Sequence, residues 1–264
     1  MPTARMMLEM TVRDVEEGLR QTQTIIVPVG ILEQHGYHLP LSVDIHNAVE
    51  LARRASERTG CFVAPPVHYN FSGGTLPGTI NVSPPVFSLM LMDILQSLVM
   101  QGFRKILILL GHAGSESQAA ARDAAHHFQR LRPPVPGLVI CVVPFTQLSP
   151  TIQQAMDSGD YHAGFYETSL MLYWKPEMVR MHLAAMDENA VAEMMRRDPD
   201  AYAIAEKRTV SPFEVPRVIQ DPRIRVGVMG DFDGATAAAG EKIAGECVDA
   251  LETIIRQMEE GALG

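Results

Sequence analysis

Cysteine is scarce in this 264-residue chain, with three in all. Cys61, Cys141 and Cys247 show no C-x-x-C spacing. An odd, sparse set excludes a disulfide framework, points to a reducing compartment and reads as small buried apolar side chains. Basic residues are outnumbered: 22 Lys and Arg stand against 31 Asp and Glu, a formal net charge of −9. With no basic run or stripe, a nucleic-acid partner is not expected. The acidic balance also argues against anionic membrane surfaces. No apolar stretch reaches the roughly 18 residues that span a bilayer. The N-terminal segment MPTARMMLEMTVRDVEEGLR carries acids and no long apolar core, so no secretory signal is expected. Internal repeats and low-complexity segments are absent, and tryptophan occurs once, at Trp174. What remains is 47 % hydrophobic and 20 % charged. That is a globular composition, expected as one cytoplasmic domain over residues 1–264.

Apolar runs alternate with amphipathic segments. TIIVPV (24–29), CFVAPPV (61–67), Ile106–Leu110 and LVICVVPF (138–145) read as strands. Helical spacing of three and four predicts helices over 44–58, 85–101, 115–131, 166–173 and 234–259. Pro85 suits a first turn and Gly102 a helix end. The run Ile106–Leu110 is apolar without alternation, as expected for a strand covered on both faces. Strand–helix alternation implies a mostly parallel sheet with helices on both faces, and such sheets bind ligands beyond the carboxyl ends of their strands. Residues 196–226, rich in charge and proline, are expected to form an insertion or lid.

The stretch PVGILEQHGYHLPLSVDIH (28–46) places one Glu, one Asp and three His just past a core strand. In an extended loop, residues two apart point the same way, so Glu33 and His35 can face one pocket. Asp44 precedes a helix, where it serves either as a ligand or as an N-cap. Carboxylates with imidazole suit Zn²⁺, Mn²⁺ or Fe²⁺, and a carboxylate can bridge two ions. His112 sits at a second strand-to-helix turn between Gly111 and Gly114. In GDYHAGFYETSLML (159–172), His162 and Glu167 flank the start of a helix. They read either as a proton-handling pair or as a cap. His38, His46, His68, His126 and His127 are expected to be surface or core histidines.

Together these segments resemble the creatininase (creatinine amidohydrolase) family. PVGILEQHGYHLPLSVD resembles its first metal motif, GTLPGTI (74–80) its F-P-G-T segment, and GFRKILILLGHAGSES (102–117) its GF…NGHGGN segment. HAGFYETSLML (162–172) resembles its HAG-x-x-ETSLML segment, and GVMGDFDGATAAAGEK (227–242) its closing G-x-x-G-D-P-x-x-A pattern. The motifs keep their order from about residue 24 to 255.

The resemblance implies a three-layer α/β/α sandwich, often assembled as a hexamer, with one or two divalent ions (Zn, Mn or Fe) per chain. By position it implies Glu33 and His112 on one ion, His35 on the other and Asp44 between them. It also implies His162 as a proton-handling residue oriented by Glu167. Several positions depart from the family's pattern. Gly114 stands where creatininase has a second-metal Glu, leaving Glu167 or Glu116 to complete that site. Leu110, Ser115 and Phe165 replace an Asn, an Asn and a Glu, and no His precedes LPGT. Creatininase has tryptophans upstream of the HAG segment, and this chain has none there.

The expected activity is therefore a metal-dependent hydrolase opening a small polar cyclic substrate such as a cyclic amide, with creatinine itself disfavoured. The alternatives are hydrolytic C–C or lactone opening of an oxidised cyclitol or sugar-derived ketone, and a non-catalytic metal- or ligand-binding homologue. Small-molecule substrates and copies of the same chain are the expected partners.

Overall fold

The computed structural model describes residues 3–262. Its centre is a five-stranded sheet of β1 (Arg5–Met6), β2 (Thr24–Val29), β3 (Phe62–Val63), β4 (Lys105–Leu110) and β5 (Val139–Pro144). The order is β1-β3-β2-β4-β5, and every pairing is parallel. Helices on both faces bury β2 completely and β4 except at Lys105. This burial is why neither strand alternates in polarity.

On one face, α2 (Val43–Thr59), α6 (Phe165–Trp174) and α8 (Ala237–Glu260) pack Leu51, Ala55, Leu170, Cys247 and Leu251 with Ile26, Leu107 and Leu109. On the other, α3 (Pro84–Gln101) and α4 (Ser115–Leu131) pack Leu91, Leu95, Ala121 and Phe128 with Ile25, Val27, Ile106 and Ile108. The result is the expected three-layer α/β/α sandwich.

The register carries the functional consequence. Thr24 pairs with Lys105 and Val29 with Leu110, so β2 and β4 end at the same level. Whatever follows each strand must emerge side by side.

Most predicted elements form. Gly102 ends α3 in the left-handed region at φ 110°, a conformation that favours glycine. The strand predicted over 61–67 shortens to Phe62–Val63, because Pro65 and Pro66 lack the N–H that a ladder needs. Val67 rejoins through a single bridge to Val29. The helix predicted from 234 starts at Ala237, after Thr236 accepts the Ala239 N–H as N-cap. Helices α1 (Val12–Leu19), α5 (Pro150–Asp157) and α7 (Asn189–Arg197) were not anticipated. The first had a readable start, a capping box between Thr11 and Asp14. Within 196–226 lies a two-stranded antiparallel hairpin, β6 (Ala203–Glu206) and β7 (Arg217–Gln220). Cys61 and Cys247 are buried and Cys141 half-buried, all as free thiols. No helix among the described residues is long and apolar enough to cross a membrane.

The glycines of α8 make a direct test of the packing. A Cβ on Gly240 would stand 2.0 Å from the Ser169 carbonyl oxygen of α6, whereas a Cβ on Gly245 would meet nothing within 4 Å. Gly240→Ala should cost roughly 1–3 kcal/mol by overpacking, lowering Tm by about 3–10 °C. Gly245→Ala should gain up to about 1 kcal/mol from helix propensity. Thermal melts shifting both variants in the same direction would contradict this arrangement.

Candidate metal centre

The segment after β2 holds Glu33 and His35 and then runs into α2, where Asp44 sits in the first turn. The turn after β4 holds His112. A Cβ on Gly111 would lie 2.0 Å from the Asp44 carbonyl oxygen, so glycine lets this turn lie directly on the start of α2. A third chain segment, just before and into α6, supplies His162 and Glu167.

Four side chains from the two strand ends and Glu167 from α6 form two groups that share one carboxylate. His112 Nδ1 lies 3.0 Å from Glu33 Oε2 and 3.5 Å from Asp44 Oδ2. His35 Nε2 lies 3.3 Å from Asp44 Oδ1 and 3.6 Å from Glu167 Oε2. Asp44 thus turns one oxygen to each group. In each trio the donor atoms lie within 4.8 Å of one another, and Glu33, His35 and His162 form a third such trio.

Glu33 Oε2, His35 Nε2, Asp44 Oδ2 and His112 Nε2 are buried without a hydrogen-bond partner. Buried polar atoms normally have partners, and leaving one unsatisfied costs about 1–3 kcal/mol. Carboxylate and imidazole donors crowded together in this state fit a divalent cation of the Zn or Mn type. His35 Nδ1 faces the Glu33 carbonyl at 3.1 Å, an outer hydrogen bond that would leave Nε2 as the ligand atom.

Asp44 is not an N-cap. Ser42 occupies that position without a side-chain cap bond, and both Asp44 oxygens face the imidazoles. The charges support one another. Burial alone would depress His112, but Glu33 and Asp44 outweigh it and hold the imidazole up at about 10. Burial likewise opposes protonation of His35, and Asp44 and Glu167 raise it well above the usual value. Burial would raise Asp44, yet His35 and His112 hold it low. A bound cation would take the place of these protons.

The expected orienting contact between Glu167 and His162 does not form. Glu167 Oε2 accepts the Ala163 N–H at 2.6 Å and turns toward His35. The segment turns sharply at Ala163, whose φ of 55° is left-handed, so Glu167 and the His162 ring part company. His162 Nε2 instead lies 2.8 Å from the Gln34 carbonyl and 3.1 Å from Gln34 Nε2, and its ring centroid is 4.2 Å from that of His35. Gln34 escaped the sequence reading because alternation in an extended loop pointed it away from Glu33 and His35. Glu116 is exposed on α4 and belongs to neither trio, so Glu167 alone stands where a second-site carboxylate was expected. A Cβ on Gly114 would stand 2.6 Å from His112 Nε2, so that position is closed to a side chain in this arrangement. His38 is a core histidine, buried with Nε2 3.0 Å from Thr168 Oγ1. Burial and the neighbouring His35 push it down to about 4.

Glu33, Asp44, His112 and Glu167 floor a cavity of about 290 Å³, with His35 wholly buried behind them. Its roof includes the region read as a lid. Tyr202 donates its hydroxyl to the Ser72 carbonyl at 3.0 Å, and Gln220 Oε1 accepts the Thr75 N–H at 2.6 Å. The walls carry Gln118, Tyr161, Phe145 and Met229.

A family model described as creatininase, creatinine amidohydrolase, matches residues 8–255. The chain belongs to the creatininase family. It is 30 % identical over 246 residues to the mycofactocin precursor peptide peptidase of Mycolicibacterium smegmatis, covering 89 % of this chain and 85 % of that one. It is 29 % identical over 195 residues to the 3-dehydro-scyllo-inosose hydrolase of Thermotoga maritima, covering 71 % and 61 %. To the creatinine amidohydrolase of Pseudomonas putida it is 25 % identical over 249 residues, covering 88 % of each. A solved structure named creatininase Mn shares the fold at a TM-score of 0.74 and 24 % identity, covering 96 % of this chain and 98 % of that one. The relatives are hydrolases by name, and their substrates differ from one another.

Elemental analysis of protein purified without chelator should find Zn, Mn or Fe at one or two ions per chain. His35→Ala and His112→Ala should each lower that content. Unchanged content in both variants would remove this site as the metal centre.

Proposed function

We propose that this protein is a metal-dependent hydrolase that opens a small polar cyclic substrate at a carbonyl carbon, with a cyclic amide as the first candidate. The observation that carries this reading is the pair of donor trios sharing Asp44 on the floor of a cavity. Glu33, Asp44 and His112 would hold one ion, and His35, Asp44 and Glu167 the other. When bound, such ions polarise a carbonyl and bring the pKa of water toward about 7.

The chain's own residues supply the rest. Asp44 sets the spacing of the two subsites. Gln34 holds the His162 ring by its carbonyl, and His162 lines the cavity beside the floor, placed to carry a proton to the leaving atom. Glu167 fixes the Ala163 turn while facing His35, so it serves the floor rather than the shuttle.

Lactone or C–C bond opening of an oxidised cyclitol is the second reading. Trp174 is absent from the cavity lining, being buried with its indole N–H donated to Asn47. Tyr161, Gln118, Gln220 and Ser72 line the cavity instead, and such groups suit a polyhydroxylated ring better than a flat heterocycle. A homologue that binds metal without turnover is the third reading. Screening the metal-loaded protein against cyclic amides, lactones and 1,3-diketones separates the three.

A cytoplasmic homo-oligomer, a hexamer by the family resemblance, belongs to the same proposal. Val210, Phe213 and Val215, almost wholly exposed at the hairpin tip, support an assembled form. Sedimentation should give several copies per particle, and a monomer at micromolar concentration would refute the assembly.

His162→Ala should lower kcat by roughly 10²–10⁴-fold, the usual worth of general acid–base catalysis, with metal content close to that of the parent. Loss of metal would make His162 a ligand, and full activity would make it structural. Glu167→Gln should lose one ion. A slow enzyme with its full complement would return Glu167 to an orienting role.

A further inference from the structure

The cavity wall has a one-sided charge that the metal centre does not use. Among the described residues lining it there is no Lys or Arg, while Glu116 from α4 and Asp200 from the roof segment stand at the rim. Neither carboxylate has an ion-pair partner among the described residues, although acids elsewhere do. Two arginines of the neighbouring segments, Arg196 and Arg223, are engaged elsewhere. Arg196 donates to the Gly230 carbonyl and faces Asp231 at 3.5 Å, and Arg223 is held by Asp221. The rim is also compact. A Cβ built on Gly73 would stand 2.7 Å from the Tyr202 hydroxyl and 3.5 Å from Glu116 Oε2, while one on Gly74 would lie 3.9 Å from Glu33 Oε1. One short glycine loop thus touches both the rim and the floor, and Glu33, which is 7 % exposed, directs an unpartnered oxygen to that floor. Burial, and after it Glu116, Glu33 and Asp200, raise the Tyr202 phenol to about 12.

We infer that Glu116 and Asp200 select substrates bearing a positively charged group, a protonated amine or an amidinium, and reject anionic ones. The inference rests on the metal-centre reading, because the substrate's carbonyl end must be held on the floor for its other end to meet the rim. An anionic substituent at the rim finds no cation and two carboxylates. A cationic one finds two carboxylates and charge complementarity, an attraction that salt screens because both acids are exposed. With one acid on α4 and the other on the roof, such a group would also bridge the body and the insertion.

Three hydroxamic acids of equal chain length test this on Zn²⁺-loaded protein: 4-aminobutanohydroxamic acid, butanohydroxamic acid and succinic monohydroxamic acid. They share the metal-binding end and differ in charge at the other. Calorimetric titration should rank the cation roughly tenfold tighter than the neutral compound and the anion weakest. Added salt should narrow the gap. The double variant Glu116→Gln, Asp200→Asn should bring the three within about twofold while its Zn²⁺ content matches the parent's. Glu260→Gln, exposed at the far end of α8, should leave the ranking intact. Equal affinities in the parent protein, or tightest binding of the anion, would overturn the selectivity and leave the metal centre standing. A protein that takes up no Zn²⁺ would overturn both.

Discussion

The parallel pairing of β2 with β4 is the constraint on which the site depends. Because both strands end at the same level, the loop carrying Glu33 and His35 and the turn carrying His112 leave the sheet together. Helix α2 then starts over this edge and brings Asp44 between them. A sheet buried on both faces holds this alignment, since a shift in register would move apolar side chains against the wrong helix layer. The position of the donor atoms is thus a consequence of core packing, in keeping with ligand sites beyond the carboxyl ends of parallel strands.

Concentrating three carboxylates and three imidazoles in a buried space is costly unless charge is balanced. Without a cation the imidazoles supply the balance, which is why His35 and His112 are raised while Asp44 is held low. A divalent ion held by these donors would give the same balance. The carboxylate beside His35 and Asp44 comes from α6 rather than from the turn at Gly114.

Around this floor the chain has built walls that differ in origin. The floor comes from the sheet and its first helices. The roof comes from the 196–226 region, tied down by Tyr202 on Ser72 and Gln220 on Thr75. These polar contacts and a small apolar cluster of Val191, Met195 and Ile224 hold the roof, whereas the floor rests on the main core. Connecting segments of this kind tolerate change more readily than the packed core beneath them.

By itself the sequence determined the layers of the fold, the ends of β2 and β4 and most ligand candidates. Those features rest on local signals: unbroken apolar runs, three-and-four spacing, and Glu33, His35, Asp44 and His112 placed next to them. It left undetermined the features that depend on the path of a loop through space. Asp44 could read as cap or ligand, and the position of the helix start, at Val43, showed it past the cap. Glu167 and His162 lie five residues apart and read as partners, but the left-handed turn at Ala163 sends them to different neighbours. Gln34 became visible as the hold on His162 only when residues 128 positions apart met. The hairpin was hidden because β6 and β7 are short, exposed and separated by a long loop. Long-range contact, which no local pattern encodes, decided these cases.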